Sequence, residues 1–215
     1  MIKAIMIGDS SMWGAINATR HTDHPQVVLN REQNVFDFSY NYSTPGASFA
    51  GILSSDPITR AANGLPAGRT LEETLALHPD ADGVLFGMSA GNDMSGQAVA
   101  LANNINTCAN ICISSNKVFA FVGGPDVNVS DSYENYPNGG DFYSSGYLQR
   151  IADIVGNMEV LRQVCLQEGY PFVDVKNRVR IMEWNGVTCD IIHPSQEYSR
   201  QIYTYVAKAL TGQVT

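Results

Sequence analysis

Four short stretches of this sequence carry side chains that could do chemistry. The first is Gly8-Asp9-Ser10-Ser11, directly after an apolar run. A serine hydroxyl there, on a turn from a strand into a helix, lies where open α/β sheets place their ligands. The second is Asp190-Ile191-Ile192-His193-Pro194. A serine needs a base to become a nucleophile, and the base needs an orienting carboxylate. An acid three residues before a histidine reaches its Nδ1 when the segment turns, leaving Nε2 to face a serine elsewhere. The third is Ala90-Gly91-Asn92-Asp93-Met94, whose asparagine amide can donate to a developing oxyanion. The fourth is Pro45-Gly46-Ala47-Ser48, where a glycine N–H can approach the same oxyanion closely. Taken singly, each stretch reads as well in a plainer way: a cap, a turn, a packed histidine, a helix start. Their conjunction is what points to acyl transfer from an ester.

The elements that must position these residues alternate as short apolar runs and longer amphipathic stretches, the pattern of an α/β fold with a parallel sheet. Strands are expected at Lys3–Ile7, Val35–Ser39, Gly83–Met88, Val118–Val122 and Phe172–Val175. Apolar residues at three-and-four spacing predict helices between Gln97 and Ile113 and between Ser144 and Glu168, with Gly169 at a C-cap. A last helix carries Tyr198, Ile202, Tyr205, Val206, Ala209 and Leu210 on one face, with Pro194 near its start and Gly212 after its end. Two stretches, Ser54 to Arg69 and Gly123 to Asp141, are irregular and rich in Pro, Gly and Asn. Loops of that length in a compact domain are usually functional or mobile.

Bulk properties narrow the function. With 215 residues the chain fits one domain, 1–215, with a real core. Hydrophobic residues make up 44% and charged residues 16%, an ordinary globular composition. The net charge of −8 and the absence of a Lys/Arg stripe argue against nucleic acid and anionic membranes as partners. They also disfavour a polyanionic substrate, although a local basic pocket stays open. The N-terminus Met1-Ile2-Lys3-Ala4-Ile5-Met6-Ile7-Gly8 lacks the parts of a signal peptide, and no apolar run reaches transmembrane length. The expectation is a soluble protein without membrane insertion, cytoplasmic or released, or carried on a virion. Cys108, Cys112, Cys165 and Cys189 include no C-x-x-C pair and are expected as reduced, packed thiols. No metal site and no cofactor is expected. His21 and His24 lack a third ligand and read as an exposed loop, and His78, before Pro79, reads as a helix C-terminal cap. Trp13, Phe49 and Met94 flank the candidate site as core or pocket residues, and Asp126 reads equally as a turn or a substrate contact.

In order and strand placement the four stretches resemble the sequence blocks of the GDSL/SGNH hydrolases, over nearly the whole chain. Gly8-Asp9-Ser10 is similar to the first block, Gly46 to the second, Gly91-Asn92-Asp93 to the third and Asp190-Ile191-Ile192-His193 to the last. The resemblance implies a three-layer α/β/α sandwich with a flavodoxin-like, mainly five-stranded parallel sheet. It implies a catalytic triad of Ser10, Asp190 and His193. It also implies an oxyanion hole made by the Ser10 N–H, the Gly46 N–H and the Asn92 side chain. Ser11 stands where the family name has leucine, and Ala90 precedes Gly91-Asn92 where the third block usually reads Gly-x-Asn-Asp. The expected activity is hydrolysis of a small-molecule or polysaccharide ester, foremost removal of acetyl groups from a carbohydrate. The alternatives are a lysophospholipase or thioesterase acting on longer chains, and a non-catalytic carbohydrate-binding module of the same fold. The residues leave the oligomeric state open.

Overall fold

A computed structural model of the chain describes residues 1–16, 19–56, 70–87, 92–93, 96–124, 145–175 and 196–213. Within them, five strands form one parallel sheet: β1 (Ile2–Gly8), β4 (Phe36–Asn41), β5 (Gly83–Gly87), β6 (Val118–Val122) and β7 (Phe172–Val173). Their spatial order is β4-β1-β5-β6-β7. Strand order therefore reverses between β1 and β5, which run in register from Ala4 opposite Gly83 to Gly8 opposite Gly87. In open α/β sheets that reversal opens a crevice at the carboxyl ends of the two strands. Two short antiparallel strands, β2 (Ala15–Ile16) and β3 (Thr19–Arg20), form a separate hairpin.

The helices are α1 (Ser10–Trp13), α2 (Pro25–Glu32), α3 (Phe49–Leu53), α4 (Leu71–Leu77), α5 (Ala98–Ser114), α6 (Ser145–Glu168) and α7 (Gln196–Leu210). The sheet is covered on both faces, so β5 is buried along its length and β1 from Ala4 onward, with side chains alternating between two cores. Ile5, Ile7, Val84, Phe86 and Phe121 point into one core, with residues of α3, α4, α5 and α6. Ala4, Met6, Leu85, Ala120 and Val122 point into the other, with Val28 and Leu29 of α2 and Ile202 and Val206 of α7. Phe86 stacks on Phe121 at 5.0 Å between ring centroids, and Phe49 tilts against both. The three-layer arrangement expected from the sequence is the one observed.

Helix ends follow local chemistry. Thr70 and Glu73 close a reciprocal capping box on α4. Gly169, at φ +69°, ends α6 as expected. Cys108, Cys112 and Cys165 are free and buried, and burial pushes the Cys112 and Cys165 thiols up to about 12. Cys189 lies outside the described residues, as do most of the two irregular stretches. Among the described residues no helix is long and apolar enough to cross a membrane, and no group of three His, Cys, Asp or Glu side chains is placed to hold a metal ion.

Candidate active site

Ser10 opens α1, two residues beyond the end of β1. Asp9 is the N-cap, and its carboxylate accepts the Ser11 N–H at 2.9 Å. The helix lasts one turn and ends at Gly14, whose φ of +83° lies in the left-handed region. What holds this turn on the sheet is Met12, which is fully buried. Its side chain lies across Gly8 and Gly87, the facing ends of β1 and β5. A Cβ at Gly8 would meet the Met12 Cβ at 2.5 Å and the Gly87 carbonyl oxygen at 2.9 Å. A Cβ at Gly87 would meet the Met12 Sδ at 2.1 Å. Both glycines are therefore required by close approach, and that explains the glycine of the Gly-Asp-Ser stretch.

The Gly46 loop is tied to the same strand end. The Thr44 N–H donates to Gly8 O at 2.9 Å, and the Ala47 N–H donates back to Thr44 O at 3.1 Å. With Pro45 second and Gly46 third at φ +81°, Thr44–Ala47 has the sequence and conformation of a type II turn. The turn's own hydrogen bond uses the Ala47 N–H and not that of Gly46.

Asn92 and Asp93 brace this turn from the end of β5. The Asn92 amide donates to Ala47 O at 3.1 Å, which uses one of its two hydrogens. The Asp93 carboxylate accepts the N–H groups of Phe49 and Ala50, at 3.0 and 3.1 Å, at the start of α3. Ser48 caps the same helix through the Gly51 N–H. The Asp93 carbonyl in turn accepts from the Asn157 amide of α6 at 3.0 Å. Burial raises the Asp93 pKa above the usual carboxylate value, opposed by its two N–H donors and reinforced by the charge of Asp9.

Three of the sequence-derived site residues, Ser10, Gly46 and Asn92, thus sit on loops joined by hydrogen bonds at the crevice between β1 and β5. Asp190 and His193 lie outside the described residues, as do Met94 and Asp126. The helix that follows them, α7, packs beside α2 and places buried Tyr203 near Asp9, whose charge adds to burial in raising the Tyr203 pKa. Phe49 is core. His21, expected in an exposed loop, is buried: its N–H donates to Gly14 O, so the hairpin folds back over the end of α1. His78 does end α4, and its ring also stacks on Tyr40 and meets the Tyr42 hydroxyl at 2.5 Å. Sequence reasoning missed Arg20, on β3. Its Nε donates to Trp13 O at 2.8 Å, and its guanidinium lies over the Trp13 ring at 5.6 Å from the centroid. A lone Arg in a turn-rich stretch gave no signal.

No protein-family profile and no curated protein matches this sequence. Solved structures do match it along its whole length. The native aryl esterase of M. smegmatis superposes with a TM-score of 0.71 at 14% identity, covering 100% of both chains. A G-D-S-L family lipolytic protein from Veillonella parvula gives 0.66 at 12% identity, over 98% of this chain and 99% of that one. A lipase/acylhydrolase from Enterococcus faecalis gives 0.63 at 15% identity, over 100% and 98%. At these identities the likeness is one of fold, and the fold is that of the GDSL/SGNH hydrolases.

Proposed function

We propose that this chain is a serine esterase working through an acyl-enzyme, in a single catalytic domain spanning 1–215. Ser10 attacks the ester carbonyl, His193 takes its proton and returns it to the leaving alcohol, and Asp190 orients His193. The Ser10 N–H, the Gly46 N–H and the second hydrogen of the Asn92 amide receive the oxyanion. Water then releases the acyl group by the same route. The observation that carries this reading is the convergence of the three loops: Thr44 bonded to Gly8, and Asn92 bonded to Ala47, at the point where strand order reverses. The structural neighbours, among them an aryl esterase, a lipase/acylhydrolase and a G-D-S-L lipolytic protein, agree with it.

Ser10→Ala tests it. The variant should lose hydrolysis of p-nitrophenyl acetate by several orders of magnitude, and a fluorophosphonate probe should attach to Ser10 in the native chain. Retained hydrolysis in the variant sinks the assignment. A folded chain inert to both reagents would point instead to a binding module of this fold.

Within that class we place removal of a small acyl group from a carbohydrate first. The polar 126–143 stretch, rich in Asn, Tyr and Gly, supports a sugar surface. An apolar cavity of about 180 Å³ lies between Phe38, Leu85, Ala120 and Leu210 and reaches Gly83 and Val118, at the far ends of the strands from Ser10. It is therefore not a channel for this serine's acyl group. A series of p-nitrophenyl esters separates the readings: a preference for eight carbons or more favours a lysophospholipase or thioesterase.

A further inference from the structure

Arg20 is a cation anchored at the end of the short helix that Ser10 opens, and among the described residues no carboxylate forms an ion pair with it. Its chain position is fixed by the hairpin, where Arg20 pairs with Ala15. Gly14 bonds to Ser10 on one side, and its carbonyl accepts from His21 on the other. The guanidinium is fixed at two points, by the Nε bond to Trp13 O and by the Trp13 ring beneath it. Trp13 lies one helical turn from Ser10. One turn of about 5.4 Å plus one hydrogen bond places the guanidinium on the order of 10 Å from Ser10. Just past the hairpin, the Thr22 hydroxyl donates to Gln196 Oε1 at 3.4 Å, at the start of α7.

Anchored in this way, Arg20 has nothing described to neutralise it. Among the described residues no carboxylate forms an ion pair with it, and the nearby Asp23 is bound to Arg31 at 2.8 Å. Partial burial lowers its pKa. Its charge also lowers the pKa of His24, second to burial of that ring. The Nε atom is engaged, so the two Nη groups remain as a fork of parallel donors, the arrangement that matches a carboxylate. In a chain of net charge −8, an arginine held in place at the end of α1 with no ion-pair partner among the described residues calls for a ligand.

We propose that Arg20, seated on Trp13, is an anion subsite that selects esters bearing a carboxylate near the scissile bond. This rests on the esterase reading and names its substrate class: an acylated acidic sugar if the charge is on the alcohol, or a half-ester of a diacid if it is on the acyl group. The subsite binds and orients; it takes no part in bond making. A polyanion would still be repelled by the mean field, so the fit is to one local carboxylate.

Two matched pairs of esters test it. The first is an O-acetylated galacturonate against its methyl ester, followed by acetate release. The second is p-nitrophenyl hemisuccinate against p-nitrophenyl butyrate. The native enzyme should favour the charged member of one pair by about tenfold in kcat/KM, and the pair that responds locates the charge. Added salt should shrink the preference. Arg20→Gln should abolish it through KM while leaving the neutral esters within about twofold, and Arg20→Lys should keep part of it. Absence of preference in both pairs, its survival in Arg20→Gln, or an equal fall for charged and neutral esters overturns the subsite. The equal fall would mean that Arg20 only caps α1. Failure to hydrolyse any of the four, with no phosphonate labelling, overturns the esterase reading and the subsite with it.

Discussion

The seat of Met12 over two facing glycines yields a prediction in which one substitution can be repaired and its twin cannot. In Gly87→Ala, the new methyl meets the Met12 Sδ at 2.1 Å, Cε at 2.5 Å and Cγ at 2.9 Å, all atoms of one unbranched side chain. In Gly8→Ala it meets the Met12 Cβ at 2.5 Å and the backbone oxygen of Gly87 at 2.9 Å, neither of which a rotamer change can move. Overpacking of a closed core costs about 1–3 kcal/mol. We expect Gly87→Ala within that range and Gly8→Ala at or above its top. Met12→Ala alone should cost about 2–5 kcal/mol for a buried methionine. It also deletes the three atoms nearest to a Cβ at Gly87. The double variant Met12→Ala/Gly87→Ala should therefore be more stable than the sum of its parts by about 1–2 kcal/mol. Met12→Ala/Gly8→Ala should show much less coupling. Urea unfolding of the six proteins, native included, gives both terms. Ester hydrolysis reads the functional side, because Met12 sits two residues after Ser10 and a nucleophile displaced by about 1 Å loses on the order of 10²-fold in rate. Additive free energies in the Gly87 cycle, or a Gly8→Ala protein as stable as Gly87→Ala, would refute the packing argument.

Two further outcomes follow from the bracing of the Gly46 turn. Asn92→Ala should lower kcat about 10²–10³-fold, the usual cost of one oxyanion donor, while the loss of its bond to Ala47 costs only about 1 kcal/mol of stability; an unchanged kcat in a folded variant would reduce Asn92 to a turn residue. Asp93→Asn reports on the buried carboxyl. Its folded pKa is raised above the ordinary 3.8, so its contribution to stability is full below that value and is lost as pH rises through the folded pKa. Asn has no such loss, so the native protein should lose ground to the variant as pH climbs from 3.8, read by thermal melts across pH; a pH-independent difference would contradict it.

Much of this arrangement was legible in the residues. Apolar runs bounded by turn residues located all five sheet strands to within two residues at each end, because buried parallel strands have little freedom in composition. The long helices α5 and α6 were legible through their periodicity. The short elements were not. α1 is one turn set by Asp9 and Gly14, and α3 is five residues held by Ser48 and by Asp93, 45 positions later than Ser48. No periodicity develops over such lengths, and the partner that stabilises α3 is distant in sequence. The burial of His21 was invisible for the same reason, since it depends on a hairpin bond to Gly14. At the site, Gly46 and Asn92 were found as residue types, but the bond between the Asn92 amide and Ala47 O is a fact of three dimensions. So is the Gly8–Gly87 contact, which needs the register of two strands some 80 residues apart.

The two cores divide the candidate site between them. Met12, two residues after Ser10, belongs to the core shared with α2 and α7, whereas Ala47 and Phe49, beside the proposed oxyanion donors, belong to the opposite one. The sheet is a thin partition, and the described candidate-site residues Ser10, Gly46 and Asn92 lie at its rim. Drift in either helical layer would move one half of the candidate site and leave the other still. The β1–β5 pair is then the common datum for both halves. Sequence change in the outer helices can accumulate on each side independently, so long as these two strands keep their alignment. That arrangement gives one physical route by which chains at 12–17% identity can retain a common fold.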